Sequence, residues 1–333
     1  MKRVLLTGGA GFIGAHTLEH LLEHTDWFVV VVDSLEHRGN IKRIQQVLAK
    51  NRSWRPRMEF FKQNLALDMP LDLVNRWGRV DYVINMASES HVDRSISDPQ
   101  PFIYNNVGLT INMLEYARLA KPKAFIQVST DEVYGPMYNN RPFKEWERLI
   151  PSNPYSGSKA AQEMIAISYW RTYGVPLIIT NTMNNIGEMQ DVEKFVPMLI
   201  RDINAGRLAQ IHGTKEHIGT RFYLHARNHA DALLFLLQKR PPKYGEANRP
   251  MRVNIVGDTQ LSNLEMARQV AKVLNKPLRY ELVDFHASRP GHDLHYGLDG
   301  SRLAGLGWKP PLSFSESLQR TVENYIEHPE WLK

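Results

Sequence analysis

The stretch TGGAGFIG, residues 7–14, lies between a predicted β-strand, Arg3–Leu6, and a predicted α-helix, Phe12–His24. Glycines there let the chain turn tightly and come close to a diphosphate, while the N–H groups at the start of the helix attract its negative charge. Asp33 ends the second predicted strand, about 20 residues beyond the glycines, where a carboxylate can bind ribose hydroxyls and repel a 2′-phosphate. The pattern predicts a dinucleotide-binding unit that favours NAD over NADP.

Short apolar runs alternate with helical patterns through the first half of the chain. Further strands are predicted at Phe28–Asp33, Met58–Lys62, Val80–Met86, Lys123–Ser129 and Val175–Thr180. Helices are predicted at Thr110–Leu119 and Pro154–Tyr173. Continuous apolar strands that alternate with helices are typical of the α/β fold class, and specifically of a doubly wound parallel (Rossmann) sheet.

The alternation ends near Thr182, and shorter elements follow. Two capping boxes predict helix starts in this half: Ser262 with Glu265, and Ser313 with Glu316. We therefore expect a second, smaller α/β substrate lobe. Residues 1–181 are assigned to an NAD-binding Rossmann domain, to which residues 223–257 return through a helix at Ala230–Lys239. Residues 182–222 and 258–333 are assigned to the second lobe.

The composition is that of an ordinary globular protein. Hydrophobic residues make up 43% and charged residues 23% of the 333 residues, which excludes disordered and fibrous classes. The chain has no cysteine, so disulfides and thiolate zinc sites are excluded and a reducing, cytoplasmic location is expected. No apolar run is long enough to cross a bilayer, and the N-terminus lacks the pattern of a signal peptide, so no membrane partner is expected.

The net charge of +6 raises the question of a nucleic-acid partner. Much of the excess lies in residues 38–62, where an inner apolar face is formed by Ile41, Ile44, Val47 and Leu48. This spacing favours a helix and loop with solvated charges, and no nucleic-acid-binding motif accompanies it. Histidines four residues apart occur without a clearly placed acidic third ligand, as His20 with His24 and His225 with His229. We therefore expect neither a nucleic-acid partner nor a metal.

A second motif, PYSGSK at residues 154–159, puts Tyr155 and Lys159 on one face of a predicted helix. A free tyrosine has a pKa of about 10 and is a poor base at neutral pH. The Lys159 ammonium and a positively charged nicotinamide are both expected to lower the pKa of Tyr155. The pair therefore predicts a tyrosine base that works beside a nicotinamide cofactor.

A third motif, Thr130-Asp131-Glu132, follows the predicted strand Lys123–Ser129. Its side chains should lie at the carboxyl edge of the parallel sheet, where ligands bind in doubly wound folds. Adjacent side chains of a regular strand point to opposite faces. Both carboxyls can reach one site only if the chain leaves the sheet there, which we predict.

With these motifs the sequence resembles the extended short-chain dehydrogenase/reductases that act on nucleotide sugars, and among them the nucleotide-sugar 4,6-dehydratases, over nearly the whole chain. The Thr-Asp-Glu triplet is the specific part, because related epimerases and decarboxylases usually lack the carboxyl pair. Residues 87–96, 184–187 and 289–293 resemble further cofactor and substrate segments. The chain departs from the family at Ile186, Glu188, residues 219–222 and the pair Ile211-His212. In the family these positions shape the nucleotide pocket, so the sequence does not determine which nucleobase the substrate carries.

The resemblance implies roles for individual residues. The implied catalytic residues are Thr130, Asp131, Glu132, Tyr155 and Lys159. NAD is the implied cofactor, bound by Gly8, Gly11, Phe12, Ile13, Gly14, Asp33, Asn64, Leu65, Ala87, Ser88, Ser90, Asn105, Ser129, Tyr155, Lys159 and Asn185. The implied substrate residues of the second lobe and the sheet edge are Ser90, His91, Thr130, Asn184, Lys194, His212, Arg221, Arg289 and His292.

The implied reaction is the conversion of a nucleotide-diphosphate hexose, foremost dTDP-glucose, to its 4-keto-6-deoxy form. Tyr155 takes the proton of the C4 hydroxyl during oxidation by NAD, Glu132 takes the C5 proton, and Asp131 protonates the departing C6 hydroxyl. A 4-epimerase, a 5,6-dehydratase and a non-catalytic NAD-binding regulator stay open as alternatives. The family also implies a homodimer, for which candidate apolar contacts are Met113, Leu114, Met164, Ile165 and Ile167, although core packing would explain these residues equally well.

Overall fold

The computed structural model describes residues 1–137, 139, 141–214, 218–239, 248–284, 293 and 295–333. Its strands in chain order are β1 (Arg3–Thr7), β2 (Phe28–Asp33), β3 (Met58–Lys62), β4 (Tyr82–Asn85), β5 (Ala124–Thr130), β6 (Leu177–Thr182), β7 (Asn184–Ile186), β8 (Ala209–His212), β9 (Thr220–His225), β10 (Met251–Ile255), β11 (Thr259–Ser262) and β12 (Tyr280–Val283). Its helices are α1 (Phe12–His24), α2 (Ile41–Lys50), α3 (Leu71–Arg76), α4 (Val92–Ser97), α5 (Pro99–Ala120), α6 (Pro154–Tyr173), α7 (Phe195–Asn204), α8 (Ala226–Lys239), α9 (Asn263–Leu274), α10 (Ser301–Gly305) and α11 (Phe314–Glu327). Short 3₁₀ helices lie at Arg52–Arg57, Asp131–Tyr134 and Pro329–Leu332.

Seven of these strands form one parallel sheet, in the order β3-β2-β1-β4-β5-β6-β10. Alternate residues of each strand enter two separate cores. Val4 and Leu6 pack with α1, α2 and α8 on one face, while Leu5 packs with α5 and α6 on the other. The predicted doubly wound parallel sheet is confirmed, and its strands are apolar on both faces because helices cover both.

The helix predicted at Thr110–Leu119 is much longer in the structure, since α5 begins at Pro99. The sequence of its first half, with Asn105, Asn106 and Gly108, is poor in helix formers. Tertiary contacts compensate, because the buried Asn106 amide accepts from the Glu89 backbone N–H (2.9 Å) and donates to the Glu89 carbonyl oxygen (3.1 Å). These bonds fix the loop after β4, which borders the cavity described below.

The second half of the chain forms a three-stranded sheet, β11-β9-β7, and a two-stranded sheet, β12-β8. Side chains of α7, α9 and α11 pack with them in a separate core. Both predicted capping boxes are present, at Ser262 and Ser313. Two elements of this half lie against the large sheet instead: β10 pairs with β6, and α8 packs on α1.

The basic segment differs from the predicted solvated helix at one residue. Ile44, Val47 and Leu48 of α2 are buried as expected, but Arg43 is fully buried with them. Its guanidinium donates to the carbonyl oxygens of Met189 (2.9 Å) and Ala10 (3.2 Å) and to Asp191 (3.0 Å). Arg43 thus ties the chain around residue 190 to the glycine turn, a contact between segments so distant in sequence that spacing could not indicate it.

Three of the four paired histidines lie close to a carboxylate, whereas the ring nitrogens of the buried His229 have no hydrogen-bond partner in the described residues. His20 lies 3.3 Å from Asp231, and His225 lies 3.0 Å from Glu188. In the part of the chain that the structure describes, no group of three or more histidines and carboxylates is placed to hold a metal ion. Among the described helices, none combines the length and apolar character that a membrane span requires.

Candidate active site

A cavity of about 630 Å³ opens at the carboxyl ends of the parallel strands and is lined by residues of both halves of the chain. All of the cofactor, substrate and catalytic residues predicted above line it, apart from two. Arg289 and His292 are these exceptions, because they lie outside the described residues. The structure therefore brings segments from Gly8 to Tyr296 to one site, as ligand binding at the edge of a doubly wound sheet requires.

The glycine turn at the floor of this cavity has no room for side chains at two positions. Gly8 has a φ of +72°, and a Cβ atom there would lie 2.9 Å from Cα of Ala87. A Cβ atom on Gly14 would collide with the carbonyl oxygen of Gly8. Gly11, the N-cap of α1, offers no side-chain acceptor to the N–H groups of the first turn, and that turn contains no acid. This backbone suits a diphosphate that approaches the helix start.

Asp33 lies at the end of β2 and is buried beside the glycine turn. Its carboxylate accepts hydrogen bonds of 2.9 Å from the backbone N–H groups of Ala10 and Leu35. Burial raises the pKa of Asp33, and these backbone donors oppose the rise. Two donors orient the carboxylate at the cavity wall, where it fits the ribose of NAD and repels a 2′-phosphate.

Two predicted cofactor residues carry unsatisfied polar atoms in the same cavity. Ser129 Oγ and Asn185 Oδ1 are buried and have no hydrogen-bond partner within the described part of the chain. Buried polar atoms of this kind are normally hydrogen-bonded in folded proteins. Their position fits a polar ligand that enters between β5 and β7.

The chain leaves the sheet at the Thr-Asp-Glu triplet, as predicted. Strand β5 ends at Thr130, and a 3₁₀ helix begins at Asp131. The Thr130 hydroxyl donates to Asp131 Oδ1 (2.9 Å), and Asn153 Nδ2 donates to Glu132 Oε2 (3.2 Å). The turn allows both adjacent carboxyls to line the cavity, which a regular strand would prevent.

The pKa values of the two carboxyls are both raised towards neutral pH. Burial raises the pKa of Asp131 to about 6. Burial and the neighbouring Asp131 charge raise the pKa of Glu132 to about 7, while Asn153, Arg221 and Lys194 oppose that rise. Both carboxyls can therefore change protonation state near neutral pH, as the acid and the base of one elimination must.

Tyr155 and Lys159 lie in the first turns of α6, which is capped by Asn153 and Ser156 in a capping box. Both side chains are buried. Lys159 Nζ donates to the Val128 carbonyl oxygen (2.8 Å). Burial lowers the pKa of Lys159 to about 8, and the Glu163 charge opposes this.

The pKa of Tyr155 is raised, whereas the sequence predicted that it would be lowered. Burial is the main cause, and the charges of Glu132 and Asp131 add to it, while the Thr130 hydroxyl opposes the rise. The prediction rested on the Lys159 ammonium and a bound nicotinamide, and it did not consider the carboxyl pair that the fold places beside the phenol. In the free protein Tyr155 is therefore a neutral phenol, and a further positive charge is needed to make it a base.

Sequence reasoning missed a cluster of charges at the cavity wall. Glu193, just before α7, forms ion pairs with Arg94 (3.1 Å) and Arg38, and lies 3.5 Å from His91. The next residue, Lys194, lines the cavity, and burial lowers its pKa. Of the residues in this cluster, the sequence resemblance indicates a substrate role only for Lys194 and His91. The partners of Glu193 lie about a hundred residues or more away in the chain, so no local sequence pattern predicts the cluster.

Comparison with known proteins places this site in a family context. The family model described as GDP-mannose 4,6 dehydratase matches residues 5–321. The dTDP-glucose 4,6-dehydratase of Haemophilus influenzae is 35% identical and covers 98% of this chain and 98% of its own. The crystal structure of DesIV, a dTDP-glucose 4,6-dehydratase of Streptomyces venezuelae with NAD bound, superposes with a TM-score of 0.85 at 32% identity over 99% of both chains. A UDP-glucose 4-epimerase of Thermus thermophilus, at 24% identity and a TM-score of 0.83, covers 97% of this chain and 99% of its own and shares the fold.

Proposed function

The chain belongs to the GDP-mannose 4,6-dehydratase family, and we propose that it is an NAD-dependent dehydratase that converts dTDP-glucose to the 4-keto-6-deoxy sugar nucleotide. The observation that carries the proposal is the position of Asp131 and Glu132. Both carboxyls line the same cavity as Tyr155, and their pKa values lie near neutrality. Two carboxyls held near neutral pH suit an elimination, which needs one base and one acid.

The first step that the residues perform is removal of the proton from the C4 hydroxyl. Tyr155 accepts it, Thr130 supplies a hydroxyl for orientation, and Lys159 supplies a nearby positive charge. A bound NAD would supply the hydride acceptor for C4, the hydride donor for C6 and a positive charge that favours ionisation of Tyr155. The turn at Gly8–Gly14 and the carboxylate of Asp33 would hold its diphosphate and ribose.

The second step is loss of water across C5 and C6. The 4-ketone makes the C5 proton acidic, and Glu132 is the proposed base that removes it and that returns a proton to C5 when hydride adds to C6. Asp131 is the proposed acid, which protonates the C6 hydroxyl so that water and not hydroxide departs. Hydrogen bonds from Asn153 to Glu132 and from Thr130 to Asp131 orient the two carboxyls.

We assign the second lobe to the nucleotide sugar. Residues 182–222 and 258–333 are proposed to bind it, and residues 1–181 with 223–257 to bind NAD. Lys194, Arg221 and His212 line the cavity from this lobe, so they can contact a diphosphate and a nucleoside. Arg289 and His292 keep the substrate role that the sequence resemblance implies.

We further propose a cytoplasmic homodimer formed by α5 and α6. Several large apolar side chains of these helices are exposed, among them Tyr104 (72%), Met164 (48%) and Ile111 (38%). Met113 and Leu114 were candidate interface residues from the sequence. Both are fully buried within the protomer, where they pack in its hydrophobic core. Ile165 and Ile167 are partly buried on α6 and stay candidates.

The test of the function is a product assay with a panel of nucleotide hexoses. The purified chain is incubated with dTDP-, UDP-, GDP- and CDP-glucose, and the chromophore that a 4-keto-6-deoxy sugar gives in alkali is measured. We expect it with dTDP-glucose and no net consumption of NAD. An epimerised sugar without the chromophore would replace the proposal by a 4-epimerase, and the chromophore with another base alone would replace dTDP-glucose as the substrate.

A further inference from the structure

A fully buried ion pair lies behind the catalytic residues. Glu163, on α6 one turn beyond Lys159, is paired with Arg252 of β10, and both side chains are at most 1% exposed. Neither residue lines the cavity. We propose that Glu163 and Arg252 are positioning residues that keep Lys159 charged and hold the Thr-Asp-Glu turn in place, an inference that rests on the proposed function.

The first connection runs from Glu163 to the end of β5. Asn181 of β6 donates from Nδ2 to Glu163 Oε1 (2.7 Å) and also to the Thr130 carbonyl oxygen (3.0 Å). One amide group therefore links the carboxylate to the residue at which the chain leaves the sheet. A shift of Glu163 would be passed to Thr130 through this amide.

The second connection runs from Arg252 to the far end of the 3₁₀ helix that carries Asp131 and Glu132. The guanidinium donates to the Glu145 carbonyl oxygen (2.8 Å) and, at 3.5 Å, to the hydroxyl of Tyr134. Tyr134 in turn donates to the same carbonyl (3.0 Å). The guanidinium also stacks on the Trp146 ring, 4.6 Å from its centre. The turn is thus held at Thr130 by one partner of the pair and at Tyr134 by the other.

The third connection is electrostatic and acts on Lys159. Burial lowers the pKa of Lys159 to about 8, and the Glu163 charge is what opposes this in the described residues. The charged and titratable groups that face Glu163 are Lys159 on its own helix, Arg252 on β10 and Tyr134 on the 3₁₀ helix. A protonated Lys159 is the form that stabilises a tyrosinate, so loss of the Glu163 charge should remove that form at a lower pH.

Stability alone is a poor reason for such a pair. Removing two charges from water costs several kcal/mol per ion, and apolar residues of similar volume often serve as well or better. The contacts of this pair reach the tyrosine–lysine half of the site and the carboxyl half at once. A role in positioning accounts for its location between them.

The experiment compares Glu163→Gln with a matched control, Glu19→Gln. Glu19 is also buried and also paired with cations, Lys50 (2.8 Å) and Arg227 (2.5 Å), but it does not line the cavity or contact a catalytic residue. For each variant we would measure thermal stability, bound NAD, and kcat and KM as functions of pH. The double variant Glu163→Gln/Arg252→Met removes both charges and so leaves no unpaired buried arginine. It can be measured in place of Glu163→Gln if that variant does not fold.

We expect Glu163→Gln and the double variant to lower kcat about tenfold or more, since small displacements of catalytic groups are costly. The alkaline limb of kcat should move to lower pH by about one unit, with bound NAD and KM unchanged. Glu19→Gln should lose stability but keep the wild-type pH profile. A wild-type profile in either Glu163 variant would overturn the inference. Absence of a 4-keto-6-deoxy product from the wild-type protein would instead overturn the proposed function, so the two failures are distinct.

Discussion

Asn153 donates a hydrogen bond of 3.2 Å from its side-chain amide to Glu132, and the same side chain caps the helix that carries Tyr155. Its Oδ1 accepts from the backbone N–H of Ser156 (2.9 Å). The oxidising half and the eliminating half of the proposed site are therefore joined through one residue. The carboxyl turn cannot move relative to the start of α6 without breaking this link.

Replacement of Asn153 by alanine should raise the pKa of Glu132, because the hydrogen bond that favours its ionised form is lost. Since the proposed base must be ionised, the acidic limb of kcat/KM should move to higher pH. Loss of the cap should also cost about 1 kcal/mol of stability. Ser313→Ala, which removes the cap of α11, is the matched control and should show the stability loss alone. An unmoved acidic limb in Asn153→Ala would argue against Glu132 as the base.

Asp131→Asn should move the acidic limb in the opposite direction. The Asp131 charge raises the pKa of Glu132, so its removal lets Glu132 stay ionised as the pH falls. The residual activity should be reduced about 10²–10⁴-fold, because the departing hydroxyl lacks its acid. It should persist to lower pH than in the wild-type protein. An acidic limb that stays at the wild-type pH would argue against Glu132 as the base.

Asp33→Ala should weaken NAD binding and reduce the preference for NAD over NADP. The substitution removes the carboxylate proposed to bind the ribose, together with its hydrogen bonds from Ala10 in the glycine turn and from Leu35 after β2. Equilibrium dialysis with both cofactors measures the ratio, and Asp258→Ala, an exposed acid elsewhere, serves as the control. An unchanged ratio, or activity that consumes NADPH stoichiometrically, would remove Asp33 from this role.

Met164→Lys should dissociate the proposed homodimer. Met164 is 48% exposed on α6, and a charge there would be buried without a partner in a dimer formed by α5 and α6. Leu208, 53% exposed in the second half of the chain, provides the control variant Leu208→Lys, which should stay dimeric. Sedimentation at micromolar concentration distinguishes the states. A wild-type monomer under these conditions would contradict the dimer.

The features that the sequence predicted well are those encoded by neighbouring residues. The glycine turn at residues 7–14 and α6 follow from local spacing, and the departure of the chain at Thr130 follows from strand geometry. Asn106 and Arg43 show where local patterns fail, since each is buried by partners far away in the chain. The raised pKa of Tyr155 is a further example, because its burial and the nearby charges of Glu132 and Asp131 both depend on tertiary packing.

The most direct measurement of the proposed mechanism is a single turnover of Glu132→Gln with dTDP-glucose, followed by the absorbance of reduced nicotinamide. Tyr155 and Lys159 are intact in this variant, so oxidation at C4 should proceed, whereas the C5 proton has no base to remove it. We expect reduced nicotinamide to accumulate on the protein and persist, with little 4-keto-6-deoxy product, and we expect no such signal from Tyr155→Phe. Turnover of Glu132→Gln at near the wild-type rate would contradict the dehydratase mechanism and favour a 4-epimerase.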